Sequence, residues 1–217
     1  MNIIKPWNEN VWFSPCYVIN EWAKQASLGN SRIKKYEEAW VCAVALICHS
    51  KIVPAEWWIQ VPKIDPPDVM GMNIVITDDG MSQNIQEVPL EIFEIRDYQK
   101  ESLEESIIRK LGKKDYTGMM LVGFVRRQGV YDMKVVSENI KKIYPKALMI
   151  CLIIIEDPTV KTNITFTQVF PELVMFRQDF GNYCRNIAQN DFLVMRRSTK
   201  IVNGDTSTTT DTYTLIP

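Results

Sequence analysis

Residues 64–98, IDPPDVMGMNIVITDDGMSQNIQEVPLEIFEIRDY, predict a β-hairpin and with it the fold class. The run 69–77 is rich in β-branched and apolar side chains, as strands are. Asp78-Asp79-Gly80 is a strong turn signal, and the apolar run 88–96 then returns antiparallel. The start of the first strand and the end of the second are therefore expected at the same open end of the hairpin.

The elements around the hairpin alternate between helices and strands. Apolar residues at three-and-four spacing predict helices, and continuous apolar runs predict strands buried on both faces. In chain order these elements are a helix over 32–50, a strand over 57–61, the hairpin, a helix over 101–112, a strand over 119–125, a helix over 132–143 and a strand over 148–155. This order indicates an α/β fold with a mixed central β-sheet, built from a meander or hairpin plus βαβ-like units and flanked by helices.

The two ends of the chain differ in composition from this α/β domain, which we place at 31–200. Residues 1–30 are aromatic-rich, and we expect them to hold a helix over 13–26 and to pack on the core. Residues 201–217 are polar and Thr-rich, which fits a C-terminal tail or a late hairpin.

The pattern weakens after Pro158. There we predict an edge strand over 164–170, a helix over 173–186 and a strand over 192–196.

The charge balance and the cysteine pattern narrow the class of protein. The chain has 217 residues and a net charge of −1, whereas proteins that bind nucleic acid often carry a basic excess. Its five cysteines are an odd number without a CxxC pair, which favours a reduced, intracellular environment. The longest strongly apolar run, 147–155, is far below the ~20 residues that a membrane-spanning helix needs. We therefore expect a cytoplasmic protein without a membrane span.

Three charged residues stand at the open end of the predicted hairpin. Asp68 follows two prolines, which hold the chain in an extended path at the start of the strand. Glu94 and Arg96 point to one face of the returning strand because side chains alternate along it. Two carboxylates at this point, Asp68 and Glu94, are oxygen ligands suited to Mg²⁺ or Mn²⁺. Arg96 is placed to stabilise the charge of a phosphate.

Each of these residues also has a purely structural interpretation. Asp68 would cap a turn, and Glu94 with Arg96 would form a surface ion pair worth at most ~1 kcal/mol. Glu91 competes with Glu94 if the strand is shifted by one residue, since that shift exchanges its faces.

The sequence lacks the residue patterns of several other catalytic sites. His49 is the single histidine, so a zinc site of ordinary composition is not expected. The glycines form neither GxGxxG nor GxxxxGK, the loops that cradle phosphates.

The order of elements, together with Pro67-Asp68 and Glu94-Ile95-Arg96, resembles the PD-(D/E)XK superfamily of metal-dependent nucleases. The resemblance covers residues 31–156 and implies a restriction-endonuclease-like fold. It further implies a phosphodiester hydrolase that acts on DNA or RNA, with Asp68 and Glu94 as ligands of Mg²⁺ or Mn²⁺.

In this family a glutamate of the first helix often belongs to the site, and Glu37 or Glu38 would take that place. Glu38 is the one that we include among the candidate catalytic residues. Both would otherwise lie on the solvated surface of the helix. Arg96 falls where the family lysine usually stands.

The arginine at that position supports a second interpretation. Arginine stays charged, whereas lysine shifts its pKa readily on burial and so suits proton transfer. Lys63 or Lys100 would supply the missing lysine if either projected beside Asp68. Otherwise a catalytically inactive nuclease-fold protein would serve as an interaction or structural module, and a third alternative is an unrelated α/β binding protein. Nucleic acid and another protein are both open as partners, as is a homo-oligomer.

Basic residues follow several of the predicted helices and strands. They are Lys110, Lys113, Lys114, Arg126, Arg127, Lys134, Lys141, Lys142 and Lys146. Such charges commonly serve solubility, but gathered on one face they would follow a phosphate backbone.

Overall fold

The structure is a computed structural model that describes residues 11–27, 34–62, 67–76, 83–156, 163–180, 194–201 and 209–216. The helices in these ranges are α1 (Pro15–Ser27), α2 (Lys34–Ser50), α3 (Leu103–Leu111) and α4 (Met133–Lys142). The strands are β1 (Val11–Phe13), β2 (Glu56–Gln60), β3 (Val69–Ile76), β4 (Gln83–Ile95), β5 (Met120–Val125), β6 (Met149–Ile155), β7 (Asn163–Phe170), β8 (Val174–Asp179), β9 (Val194–Ile201) and β10 (Thr209–Ile216). None of the helices in these ranges is both long and apolar enough to cross a membrane.

The strands form one mixed sheet in the order β10-β9-β1-β2-β3-β4-β5-β6-β7-β8. β2, β3 and β4 are antiparallel neighbours, with Trp58 opposite Met72 and Val69 opposite Leu90. β4, β5 and β6 run parallel and are connected through α3 and α4. The predicted α/β fold, a mixed sheet of a meander plus βαβ-like units, is confirmed.

Helices cover both faces of this sheet. Side chains of the sheet such as Leu90 and Val122 share one core with α2. Leu121 and Ile95 share a second core with α3 and α4 on the opposite face. The split follows from the alternation of side chains along each strand, which places neighbouring residues on opposite faces. The expected parity of the strand at 88–96 is therefore confirmed.

α2 is buried on nearly all sides. Its residues from Glu38 to Cys48 are all buried, a wider surface than the single stripe predicted from the sequence. α1 packs against α2, and Ile19 of α1 belongs to the same core. Ala39, Ala43 and Ala45 are small enough for helix and sheet to approach closely. Glu38 therefore enters a buried environment, although its residue type favours solvent.

One prediction for the flanking regions is wrong, and another differs only in where the helix begins. In the part of 173–186 that the structure describes, a strand replaces the expected helix: β8 pairs antiparallel with β7. Its side chains alternate between half-buried and exposed from Val174 to Arg177, because an edge strand shows one face to the core. The helix expected over 13–26 is confirmed as α1 (Pro15–Ser27). It begins two residues later than expected because Phe13 belongs to β1 and pairs with β2 and β9.

The Thr-rich segment near the C-terminus forms β10, which pairs with β9 from Thr209 to Ile216. Several predicted features lie partly or wholly outside the described residues. They are residues 1–10 and 28–30 of the N-terminal segment, the start of the helix at 32–33, the possible lysine Lys63, residue 77 of the hairpin strand, the turn at 78–80, residues 181–186 of the expected helix, 192–193 of the expected strand and 202–208 of the C-terminal segment.

Candidate functional site

Asp68 stands where β3 begins beside β4. Pairing of the two strands starts with Val69 opposite Leu90, so β4 continues past the start of β3. The Oδ2 atom of Asp68 accepts a hydrogen bond of 2.8 Å from the backbone N–H of Ile92. The Asp68 side chain thus accepts the hydrogen bond that a backbone carbonyl of the neighbouring strand would accept in regular pairing. This bond fixes the Asp68 carboxylate at the edge of the meander.

Glu38 of α2 brings a second carboxylate toward Asp68. Its side chain is only 8% exposed, and its Oε1 lies 2.9 Å from Lys34 Nζ. Its Oε2 is buried without a hydrogen-bond partner, and Lys35 Nζ is 3.9 Å away. Burial raises the pKa of Glu38, Lys34 opposes that rise, and the negative charge of Asp68 adds to it. Two of the predicted site residues, Asp68 and Glu38, therefore interact.

The electrostatic surroundings of Asp68 come from both faces of the sheet. Burial is the main cause that raises the pKa of Asp68, and the hydrogen bond from Ile92 opposes it. The charge of Glu91 raises this pKa further, whereas Lys110 and Lys34 lower it. Asp68 is thus a half-buried acid between two layers, with cations from α2 on one side and from α3 on the other.

Glu91 lies on the α3 face of β4 and is buried between two lysines. Its Oε2 is 3.2 Å from Lys110 Nζ, and its Oε1 is 2.6 Å from Lys114 Nζ. Both ammonium groups also lie over the ring of Tyr116, at 5.6 and 5.2 Å from its centroid. Glu91 therefore does not replace Glu94 through a shift of the strand. Its ion pairs connect the end of α3 to β4.

Lys110 of α3 reaches the peptide segment that holds Asp68. Lys110 Nζ donates a hydrogen bond of 3.1 Å to the backbone carbonyl of Ile92, the residue whose N–H holds Asp68. Lys100, the candidate within the described residues, is instead exposed at the turn after β4. The Lys110 ammonium is thereby fixed one peptide group from the Asp68 anchor.

Glu94 and Arg96 form a pair, as their spacing predicts, and a second arginine joins them. Arg96 Nε donates to Glu94 Oε2 at 2.6 Å. Arg126, which follows β5, forms an ion pair with Glu94 through Nε and another with Glu37 Oε1 at 2.5 Å. The Arg126 guanidinium also stacks over Phe124, 4.6 Å from the ring centroid. Arg126 thus bridges Glu37 and Glu94, whereas the neighbouring Glu38 interacts with Asp68.

The predicted ligands Asp68 and Glu94 occupy neighbouring positions along the same edge. Glu94 is two residues beyond Ile92, the Asp68 anchor, which corresponds to about 6.6 Å along a strand. Its carboxylate forms ion pairs with Arg96 and Arg126. Glu38 also has two cationic neighbours, Lys34 and Lys35, but its Oε2 atom has no hydrogen-bond partner.

Sequence reasoning did not identify Lys110, Lys114 and Arg126 as parts of this region. A signal for the two lysines was available: they follow a helix on the face to which Glu91 points. The sequence pattern does not predict where α3 lies over β4, and the contact between Glu91 and the two lysines depends on that position.

The described residues contain no group of three or more His, Cys, Asp or Glu side chains placed to hold a metal. Mg²⁺ commonly binds through one or two carboxylates and completes its octahedron with water and substrate oxygens. Asp68 and Glu38 are the two carboxylates that could hold such an ion, because a cation would relieve their mutual repulsion and would meet the Glu38 Oε2 atom, which has no hydrogen-bond partner.

An open groove of about 590 Å³ lies elsewhere, at the carboxyl ends of β5 and β6. Exposed Val130 and Met175 line it together with Arg127 and Arg177. It contains none of the predicted site residues.

Comparisons of the chain with protein-family models, with curated proteins and with solved structures return no match. The resemblance to the PD-(D/E)XK nucleases therefore stays a prediction from the sequence.

Proposed function

We propose that this protein is a Mg²⁺- or Mn²⁺-dependent phosphodiester hydrolase acting on DNA or RNA, with a restriction-endonuclease-like arrangement from α2 to β5. The observation that supports this proposal most is the Asp68 carboxylate. It is fixed on the Ile92 N–H, interacts with Glu38, and has the Lys110 ammonium on the same peptide segment.

In this proposal Asp68 and Glu38 hold the metal. A bound divalent cation polarises a phosphate oxygen and lowers the pKa of a water molecule. Glu94, the second ligand expected from the sequence, would have to break its ion pair with Arg126 before it could bind the cation. We therefore assign it the role of orienting Arg96 and Arg126.

The cations of the site bind the substrate. Lys110 is positioned by Glu91 and by the Ile92 carbonyl, and can donate a further hydrogen bond to a phosphate oxygen. Arg96 is half exposed, so its guanidinium can stabilise the charge that develops on the phosphate. In this proposal Lys110 has the role of the family lysine, whose usual position in the sequence is occupied by Arg96.

The first test is cleavage of duplex DNA, single-stranded DNA and RNA with Mn²⁺, with an EDTA control. We expect metal-dependent cleavage that is abolished in Asp68→Ala and reduced in Lys110→Gln. Glu172→Gln, an exposed acid after β7, is the matched control and should behave like the wild type.

A second readout separates metal binding from catalysis. A saturating metal, at about 100 times its Kd, should raise the melting temperature by roughly 5–10 °C. This rise should vanish in Asp68→Ala and Glu38→Gln but not in Glu172→Gln. Absence of both cleavage and a thermal shift in the folded wild type would refute the proposal.

One observation favours the alternative, an inactive module with the same fold. Glu91 and Glu94 each form ion pairs with two cationic side chains, which is a self-contained arrangement that needs no metal. Under this alternative, Glu91→Gln would lower stability, and metal binding and cleavage would be absent in both this variant and the wild type.

A further inference from the structure

The ends of α3 and α4 place six lysines on one surface. They are Lys110, Lys113, Lys114, Lys141, Lys142 and Lys146, which we call the lysine surface. β4, β5 and β6 are parallel, so the helices that connect them run back in the opposite direction. Both helices therefore end at the edge where β5 and β6 begin, and they pack side by side on one face.

Contacts between the two connections show that this surface is continuous. The backbone N–H of Leu148, before β6, donates to the carbonyl of Met119, before β5, at 2.8 Å. The charge of Lys146, which follows α4, contributes to lowering the pKa of Asp115, which follows α3. The two groups of lysines thus belong to neighbouring loops.

The lysine surface carries more positive than negative charge. The carboxylates that interact with it are Glu91, between Lys110 and Lys114, Asp68, near Lys110, Glu101, near Lys113, and Asp115, near Lys146. These are four negative charges against six positive ones. Lys113, Lys141 and Lys142 are exposed. A cation in the last turn of a helix is favoured by the helix dipole, but Lys113, Lys114 and Lys146 lie beyond the helix ends, where that effect falls off. Their clustering is instead suited to a polyanion.

Tyr144 adds an aromatic ring to the same surface. It follows α4 in the left-handed backbone region, with φ 48, and is 86% exposed. Its N–H donates to the Lys141 carbonyl at 3.1 Å, as in a helix C-cap. Glycine is the residue that favours this position, because the side chains of other L-residues make the left-handed backbone strained. The chain therefore holds an aromatic ring in solvent at a position where glycine would be more stable.

We propose that the lysine surface binds single-stranded nucleic acid, with the lysines on its phosphates and Tyr144 stacked on a base. Positive charge that follows the backbone and an exposed ring that stacks on bases are the two components of such binding. Lys110 and Lys114 belong both to this surface and to the candidate site, so the strand would reach Asp68 directly. This last step rests on the proposed function, whereas the binding itself does not.

The test is fluorescence anisotropy of a labelled oligothymidylate in EDTA, where no metal-dependent cleavage occurs. Tyr144→Gly should weaken binding roughly 5- to 150-fold, the loss expected for one stacked base. Its melting temperature should stay equal or rise, because glycine relieves the left-handed backbone. A merely structural tyrosine would not separate affinity from stability in this way.

The triple variant Lys113→Gln, Lys142→Gln, Lys146→Gln tests the interaction with phosphates. The slope of log K against log salt should fall by about 0.7 for each phosphate that is no longer neutralised, hence by about 2 in total. Tyr98→Ala and the double variant Lys100→Gln, Lys134→Gln remove similar exposed side chains from other parts of the molecule and should bind like the wild type.

Several outcomes would overturn the inference. One is unchanged affinity for the oligonucleotide in both surface variants, and another is an equal loss of affinity in the control variants. Binding of duplex DNA that does not depend on Tyr144 would also overturn it, as would binding to anionic phospholipid vesicles in place of the oligonucleotide. Binding in EDTA, together with the absence of both cleavage and a thermal shift when Mn²⁺ is supplied, would retain this inference and refute the nuclease proposal. Cleavage that does not respond to the surface variants would do the reverse.

Discussion

The Asp68 carboxylate is held by one backbone hydrogen bond and disfavoured by burial. Because its pKa is raised in the folded protein, folding binds a proton when the pH lies between the unfolded and folded values. Its contribution to stability is therefore most favourable below its unfolded pKa and declines as the pH rises through the folded value. At neutral pH the charge of Asp68 opposes folding, as is common for groups kept for function.

We expect Asp68→Asn to raise the melting temperature at pH 7. Asparagine keeps an oxygen acceptor for the Ile92 N–H but carries no charge. The gain should amount to about 2–4 °C for each kcal/mol relieved. This gain should shrink as the pH falls, because Asp68 itself then becomes protonated.

Differential scanning calorimetry between pH 4 and 8 measures this dependence. Glu172→Asn, an exposed acid, provides the control. A lower melting temperature for Asp68→Asn at pH 7 would mean that Lys110 and Lys34 stabilise the charge more than burial opposes it.

The sequence predicted part of this site and left part of it open. The position of Asp68 followed from the prolines before it, and the faces of Glu91 and Glu94 followed from strand alternation. The partners of these acids could not be predicted, because Lys110 and Arg126 reach them only through the way α3 and β5 pack on β4. Sequence spacing gives faces within an element but not the angle between elements.

At the scale of elements, α3 positions the lysines of the site and depends on its N-terminal cap. The Ser102 side chain accepts a hydrogen bond from the Glu105 N–H at 3.1 Å, and Glu105 accepts one from the Ser102 N–H at 2.6 Å. This capping box satisfies two backbone donors that the helix leaves without internal partners.

Ser102→Ala should lower the free energy of unfolding by about 1 kcal/mol, the usual cost of losing such a cap. Urea denaturation followed by circular dichroism measures the change. Ser102→Asp keeps a capping oxygen and should retain most of the stability. Equal losses in both variants would show that the cap contributes little to α3.

The order of elements was predictable where apolar runs were long and failed where they were short. From α2 to β6 the runs are bounded by clear turns, and the predicted order is confirmed. Residues 174–179 mix apolar and polar side chains in a way that fits either structure. These residues form a strand because they pair with the edge of β7. Such pairing is a tertiary interaction and cannot be predicted from local propensity.

At the scale of the whole molecule, three cysteines report on the core between α2 and the sheet. Cys42, Cys48 and Cys151 are fully buried there. Burial raises the pKa of all three thiols, that of Cys48 to about 12. Neither exposure nor thiolate formation therefore favours reaction with a thiol reagent in the folded state.

Pulse labelling with a thiol reagent across a urea series should modify these three cysteines together, at the urea concentration that unfolds the protein. A variant with Cys184→Ser simplifies the measurement, and mass spectrometry assigns the modified sites. The half-buried Cys16 of α1 should react at lower urea. Early modification of Cys42 would instead indicate that α2 opens before the sheet does.

The short strand β1 lies between β2 and β9, two elements that are far apart in the sequence. As the ribosome delivers the chain, β1 can meet β2 early, whereas β9 arrives only after β8 has been made. Until then the outer backbone of β1 is an open edge, able to pair with strands of other nascent chains. A premature stop before residue 194 would make this exposure permanent, so that a product with most of its core intact would still accumulate as aggregates.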